Sequence, residues 1–112
     1  MPPVDFRRAK DFIGAVPQGR WTSYKDVAVA AGSPHGAQAV GQWLRRVGDS
    51  VPNVYRVLTV EGFVAEGFVA AGPGVPDGEV EVRRVLRDEG VPINAQGRAA
   101  ASKRYRADQW SG

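Results

Sequence analysis

Residues 22–46 read TSYKDVAVAAGSPHGAQAVGQWLRR, and the fold turns on how this stretch divides. Thr22 or Ser23 can cap a helix running through Tyr24, Val27, Ala28 and Ala31 to Gly32. A short hydroxyl side chain satisfies an orphan amide at the start of a helix, and glycine accepts the left-handed conformation at its end. Ser33 is expected to cap the next helix, with Pro34 where its missing N–H costs nothing, and that helix to run to about Arg46. Two short helices across the turn at Gly32, Ser33 and Pro34 make a helix-turn-helix. On the second helix Ala37, Val40, Gly41 and Leu44 form an apolar, mostly small-residue face. Gln38, Gln42 and Arg45 recur on the opposite face with Arg46 beside them, offering hydrogen-bond donors, as an ordinary surface helix also does.

Upstream, Ala9, Phe12, Ile13 and Val16 follow Asp5 at helical spacing and the stripe stops at Pro17 and Gly19. Downstream, Val54, Arg56, Leu58 and Val60 alternate with Tyr55, Val57 and Thr59, which predicts a strand; Glu61 and Gly62 turn it into a second strand at Phe63 and Val64. A hairpin in that position is a wing. Residues 61–65 (EGFVA) are repeated at once as 66–70, a duplication that lengthens it. A Gly/Pro loop at 71–76 leads to Asp77, expected to cap a fourth helix with Glu79 and Glu81 in its first turn, Val82, Val85 and Leu86 packing, and Arg83, Arg84 and Arg87 facing out. Gly90 ends it, and the tail offers Tyr105 and Trp110 as anchors. The expected fold class is mainly α with a small β-hairpin: one winged helix-turn-helix domain over residues 1–112, with a wing insertion about 61–78 and a basic tail about 94–112.

Composition bounds the chemistry. With 112 residues, 43% of them hydrophobic, the chain can build one core. It has no cysteine, so a disulfide scaffold, a zinc–thiolate site and a thiol nucleophile are all excluded. No apolar run reaches membrane-spanning length and the first residues lack a signal core, which leads us to expect a cytoplasmic protein, nucleoid-associated if prokaryotic, with no membrane partner. The net charge is only +3, but 12 of the 15 basic residues are Arg, suited to forked contacts with phosphate. His35 is the one histidine and has no acidic cluster around it, so no metal site is expected. Ser23 and Ser33 read as helix caps rather than nucleophiles, and no phosphate- or dinucleotide-binding fingerprint is present. No catalytic residue and no cofactor can be nominated. The residues describe a binding module.

Residues 17–28 (PQGRWTSYKDVA), 30–34 (AAGSP) and 37–41 (AQAVG) together resemble the DNA-binding domain of the O6-alkylguanine-DNA alkyltransferase family in order, spacing and residue type. The likeness continues at Tyr55, Arg56 and Val57, aligned with the family's H-R-V, and at 86–90 (LRDEG), similar to its late L-x-x-E-G segment. It is stronger before the insertion than after it. This alignment places Val54 where the family carries its acceptor Cys and Tyr55 where it carries the activating His. A valine has no heteroatom to accept an alkyl group, so direct alkyl transfer is not expected. The chain resembles the non-catalytic alkyltransferase-like branch, whose members bind O6-alkylated guanine in double-stranded DNA and pass the lesion to nucleotide excision repair proteins.

The resemblance implies minor-groove binding with base flipping. Tyr24 falls on the tyrosine that presses on the phosphate, whereas Gln38 falls where the family inserts an Arg into the vacated stack. A Gln brings no charge and less planar surface to a step that costs a few kcal/mol. Small residues Gly36, Ala37, Ala39 and Gly41 let the helix approach the backbone, and Gln38, Gln42, Arg45 and Arg46 supply donors; Ser23 completes the expected DNA-binding set with Tyr24. Val54, Tyr55, Arg56 and Tyr24 are the expected lesion pocket. Glu89, at the position of a family Glu that supports the Cys–His pair, has no such pair here and reads equally as a helix-end carboxylate. The same scaffold also accommodates a regulatory winged helix on intact DNA, or a protein-interaction domain.

Overall fold

The computed structural model describes residues 3–65 and 78–112. The second EGFVA copy, the Gly/Pro loop, Asp77 and most of the expected wing insertion lie outside the described residues. Helix α1 spans Phe6–Ala15 and starts as its sequence dictates: the Asp5 carboxylate accepts the amide N–H of Arg7 at 3.1 Å and of Arg8 at 3.2 Å. It buries Ala9, Phe12 and Ile13. Strand β1 (Thr22–Ser23) runs directly into helix α2 (Tyr24–Ala30), and Gly32, at φ +81°, ends that helix as expected.

Helix α3 spans Ala37–Val47 and starts later than its sequence suggests. Ser33 does not cap it. Ser33 is buried and its carbonyl accepts the Gly36 N–H at 2.8 Å, closing a turn that contains Pro34 and His35. Gly36 is the cap residue because a Cβ there would sit 2.6 Å from the Val4 side chain; only glycine lets the turn pack against the N-terminal segment. Helix α4 (Glu79–Asp88) buries Val82 and Leu86, with Val85 half-buried. Three Arg–carboxylate pairs line it: Arg83 with Glu79, and Arg84 with both Glu81 and Asp88.

The sheet differs from the hairpin expected. Val54–Arg56 form one turn of 3-10 helix entered through Asn53 at φ +63°, and only Val57–Leu58 (β2) are extended. β2 pairs parallel with β1, Thr22 opposite Val57 and Ser23 opposite Leu58. The chain does reverse after Thr59, whose N–H meets the Phe63 carbonyl at 2.8 Å, but no second strand follows among the described residues. The physical reason lies in burial. Val54, Arg56, Val57 and Leu58 are all buried, so the alternation of Val with Arg does not mark one wet and one dry face.

The architecture is a small, mainly α, winged-helix-like domain with two apolar clusters on either side of the β1–β2 seam. The first joins α1, α2, α3 and Val54; the second holds Trp21, Leu58, Val82, Leu86, Val91 and Ala99. The tail closes over the first cluster, with Tyr105 stacked on Phe12 at 5.6 Å and Trp110 edge-on to it at 5.3 Å.

Candidate nucleic-acid interface

The helix-turn-helix presents its surface from a rigid base. The Ser23 hydroxyl accepts the Asp26 N–H at 3.1 Å and donates to the Asp26 carboxylate at 2.8 Å, while the Ser23 N–H donates to the same carboxylate at 3.3 Å, a reciprocal capping box. Ser23 is 0% exposed, so its hydroxyl shapes the start of α2 rather than facing DNA. Tyr24 follows as the first helical residue, half-buried. Burial pushes its phenol above the ordinary value and the nearby Arg45 charge partly opposes this, so the hydroxyl stays protonated and can donate to a phosphate oxygen.

Along α3, Val40 and Leu44 are buried, while Gln38, Gln42, Arg45 and Arg46 are exposed and their side chains form no hydrogen bond or ion pair among the described residues. Ala37 and Gly41 are half-buried, and a Cβ on Gly41 would meet nothing within 4 Å, so the middle of the helix is open to close approach. Trp43 stacks on Phe6 with ring centroids 5.0 Å apart, which fixes α3 against α1. The basic residues at its C-terminal end are also where the helix dipole favours cations.

The expected lesion-pocket residues divide. Val54 is 3% exposed and packs in the first cluster; Tyr24 lies against that same cluster, and Tyr55 lies against the second. Arg56 is 8% exposed and its guanidinium is fully engaged: Nε and Nη2 grip Glu89 at 3.1 and 2.9 Å, and Nη1 donates to the Val16 carbonyl at 2.8 Å. Tyr55 donates to the same Glu89 carboxylate at 2.5 Å, and the Arg56 guanidinium lies 5.3 Å from the Tyr55 ring centre. Burial, and then the bond to Glu89, push the Tyr55 phenol up to about 12, so it remains a neutral donor. Glu89 is therefore a hub, not a free helix-end carboxylate. The signal for Glu89 lies in the 86–90 segment, but only the folded chain shows that Tyr55 and Arg56 are its partners.

Among the described residues no group of His, Cys, Asp and Glu is arranged to hold a metal ion, and His35 is exposed on the turn before α3. No helix among them is long and apolar enough to cross a membrane.

Residues 6–91 match the family model described as 6-O-methylguanine DNA methyltransferase, DNA binding domain. The chain is 33% identical over 102 residues to the DNA base-flipping protein of Escherichia coli (strain K12), spanning 89% of this chain and 71% of that one. Its structure resembles that of S. pombe Atl1 in complex with damaged DNA containing O6-carboxymethylguanine, with a TM-score of 0.67 at 20% identity, covering 90% of this chain and 94% of Atl1; this likeness is one of fold. It also resembles the Mycobacterium tuberculosis O6-methylguanine methyltransferase, with a TM-score of 0.51 at 25% identity, over 85% of this chain and 55% of the enzyme.

Proposed function

The chain belongs to the 6-O-methylguanine DNA methyltransferase family through its DNA-binding domain, and from that premise we propose that it is a non-catalytic, alkyltransferase-like protein that recognises O6-alkylguanine in double-stranded DNA. It enters the minor groove with α3, flips the damaged base, and leaves it unrepaired for nucleotide excision repair proteins in the cytoplasm. One observation carries the reading: an exposed donor face on α3 beside Tyr24 survives in a chain whose acceptor position is Val54 and which contains no cysteine. The binding half of the family's machinery stands without its chemical half. The E. coli relative is named for base flipping, and the S. pombe neighbour was solved on damaged DNA; both support this reading.

In this mechanism the open middle of α3 at Gly41 settles against the sugar-phosphate wall, Arg45 and Arg46 neutralise phosphates, and Tyr24 donates to the phosphate of the rotated nucleotide. Gln38 takes the vacated position and hydrogen-bonds the orphaned base. Val54 offers the alkyl group an apolar contact, which requires the first cluster to open around it, since Val54 is covered in the free chain. That covered state favours one second reading, groove binding on intact DNA without flipping.

The two readings separate in one measurement: fluorescence anisotropy of duplexes with and without a single O6-methylguanine, at fixed salt. Tighter binding to the lesion is expected. Equal affinities would leave a helix-turn-helix protein of intact DNA.

A further inference from the structure

An open cleft of about 840 Å³ lies where the end of α4 meets the tail, and no residue of α3 lines it. Its floor is apolar, from Val91, Ile93 and Ala99; among the described residues its charged lining side chains are Arg87 and Arg98, and no carboxylate lines it. The arginines of α4 differ in a telling way. Arg83 and Arg84 are paired along the helix, whereas Arg87, one turn further and on the cleft, has no partner among the described residues. Arg98 is anchored through Nε to the Glu61 carbonyl at 2.7 Å, which fixes its guanidinium beside the cleft, and its other donors have no partner among the described residues.

The backbone adds a third feature. Ile93 and Ala99 form an isolated antiparallel bridge, flanked by Asn94 N–H to Arg98 O at 3.0 Å and Ala100 N–H to Pro92 O at 2.9 Å. In that pattern the bridged pair is the non-hydrogen-bonded one, so the Ile93 N–H and C=O point away from Ala99, and they bond no backbone group among the described residues. An apolar floor, a pair of arginines and a backbone edge with no partner among the described residues suit an extended peptide with alternating aliphatic and acidic side chains. They suit nucleic acid poorly, because a phosphate backbone has no use for a floor of Val and Ile.

We infer that this cleft is a docking site for an acidic, aliphatic segment of a partner protein. Its floor belongs to the second apolar cluster and none of its lining residues is among those expected to meet DNA, so a partner seated there is expected to leave DNA affinity unchanged. Part of its wall, from Pro92 onward, lies outside the span matched by the family's DNA-binding domain. The inference is independent of lesion recognition.

The test is a proton–nitrogen correlation titration of the full chain with a synthetic peptide alternating Glu and Val, and with its counterpart alternating Lys and Val. Saturable shifts are expected at the amides of Gly90, Val91, Ile93 and Ala100 with the Glu peptide alone. Arg87→Glu is expected to weaken that binding by about tenfold or more while leaving the melting temperature and duplex DNA affinity unchanged. Arg87→Gln, with a smaller loss, controls for any effect of the reversed charge on the helix end. No saturable shift up to about 1 mM peptide, shifts confined to α3, or an equal loss of DNA affinity in Arg87→Glu would overturn the assignment. The last of these would place the cleft in the nucleic-acid footprint.

Discussion

Restoring a thiol at position 54 does not restore an alkyl acceptor. Val54 sits in an apolar cluster at 3% exposure, where burial raises a thiol's pKa and suppresses the thiolate. The neighbouring base is missing too, because Tyr55 is a neutral donor committed to Glu89. Val54→Cys is therefore expected to take no labelled methyl group from O6-methylguanine duplex DNA, and Val54→Cys with Tyr55→His to take measurably more; labelling of the single variant would refute this account. Glu89 gives a second prediction. Burial is the largest single influence on its carboxyl and acts upward, but hydrogen bonds from Arg56 and Tyr55 and the Arg56 charge together outweigh it, leaving the pKa lowered. A lowered carboxyl pKa stabilises the fold above the ordinary carboxylate range, and that stabilisation is lost as pH falls through the folded-state value. Glu89→Gln is expected to cost about 3 kcal/mol at neutral pH, since it strands the Arg56 charge, and its deficit to shrink as pH falls from about 5 toward 3. Urea denaturation across that range measures it; a deficit independent of pH would rule out the ionised hub. The lack of any thiol was readable from the composition, and the expectation that Val54 takes the acceptor's place rests on the family resemblance. The Tyr55–Glu89–Arg56 hub was not, because it joins residues more than thirty positions apart and only the folded chain shows which partner the carboxylate finds.

At the scale of the element, the proposed function places α3 against DNA. Arg45 and Arg46 stand in its last turn, exposed and unpaired among the described residues. Each phosphate that such a side chain neutralises contributes roughly −0.9 to the slope of log K against log salt. About four such contacts give the whole protein a slope of roughly −3 to −4, so Arg45→Ala with Arg46→Ala is expected to flatten it by roughly 2. The loss should fall equally on lesion and intact duplexes, because phosphate contacts carry no base information. An unchanged salt slope in the double variant would remove both arginines from the interface. The helices were readable from the sequence because each has an apolar stripe of period 3.6 and a terminator: Asp5 and Pro17 for α1, Ser23 and Gly32 for α2. The start of α3 was displaced by a steric fact invisible along the chain, the contact of Gly36 with Val4. The strand expected from Val54 to Val60 is shorter for a similar reason: alternation implies a solvent face, and Arg56 supplied a polar letter for a side that is buried against Glu89 and Val16.

For the whole molecule, the tail is the piece that ties the helix-turn-helix to the rest. Its backbone clasps Trp21, with the Trp21 N–H meeting Lys103 O at 3.1 Å and the Tyr105 N–H meeting Trp21 O at 2.6 Å. Its side chains then secure the base of α2: Arg104 forks onto the Asp26 carboxylate at 2.7 and 3.1 Å and reaches the Ser23 hydroxyl at 3.3 Å. Arg20 returns the contact from the other direction, donating to the Arg104 carbonyl at 2.7 Å and lying over the Tyr105 ring. The Arg104–Asp26 pair is largely buried, so removing one member leaves a charge with little solvent to compensate it. Arg104→Ala is accordingly expected to cost about 3 kcal/mol, and to lower the melting temperature by on the order of 10 °C. Because Asp26 closes the capping box of α2, the loss should reach the DNA surface as well: duplex affinity is expected to fall although Arg104 itself is committed to Asp26 and not to phosphate. The two apolar clusters share the β1–β2 seam, so tail and helices should unfold together, with tryptophan fluorescence and far-ultraviolet dichroism tracing one coincident transition in both wild type and variant. A variant in which the tryptophan signal melts early while helical dichroism and DNA affinity hold at wild-type values would show the tail to be an appendage rather than the clasp that sets the pose of α2 and α3.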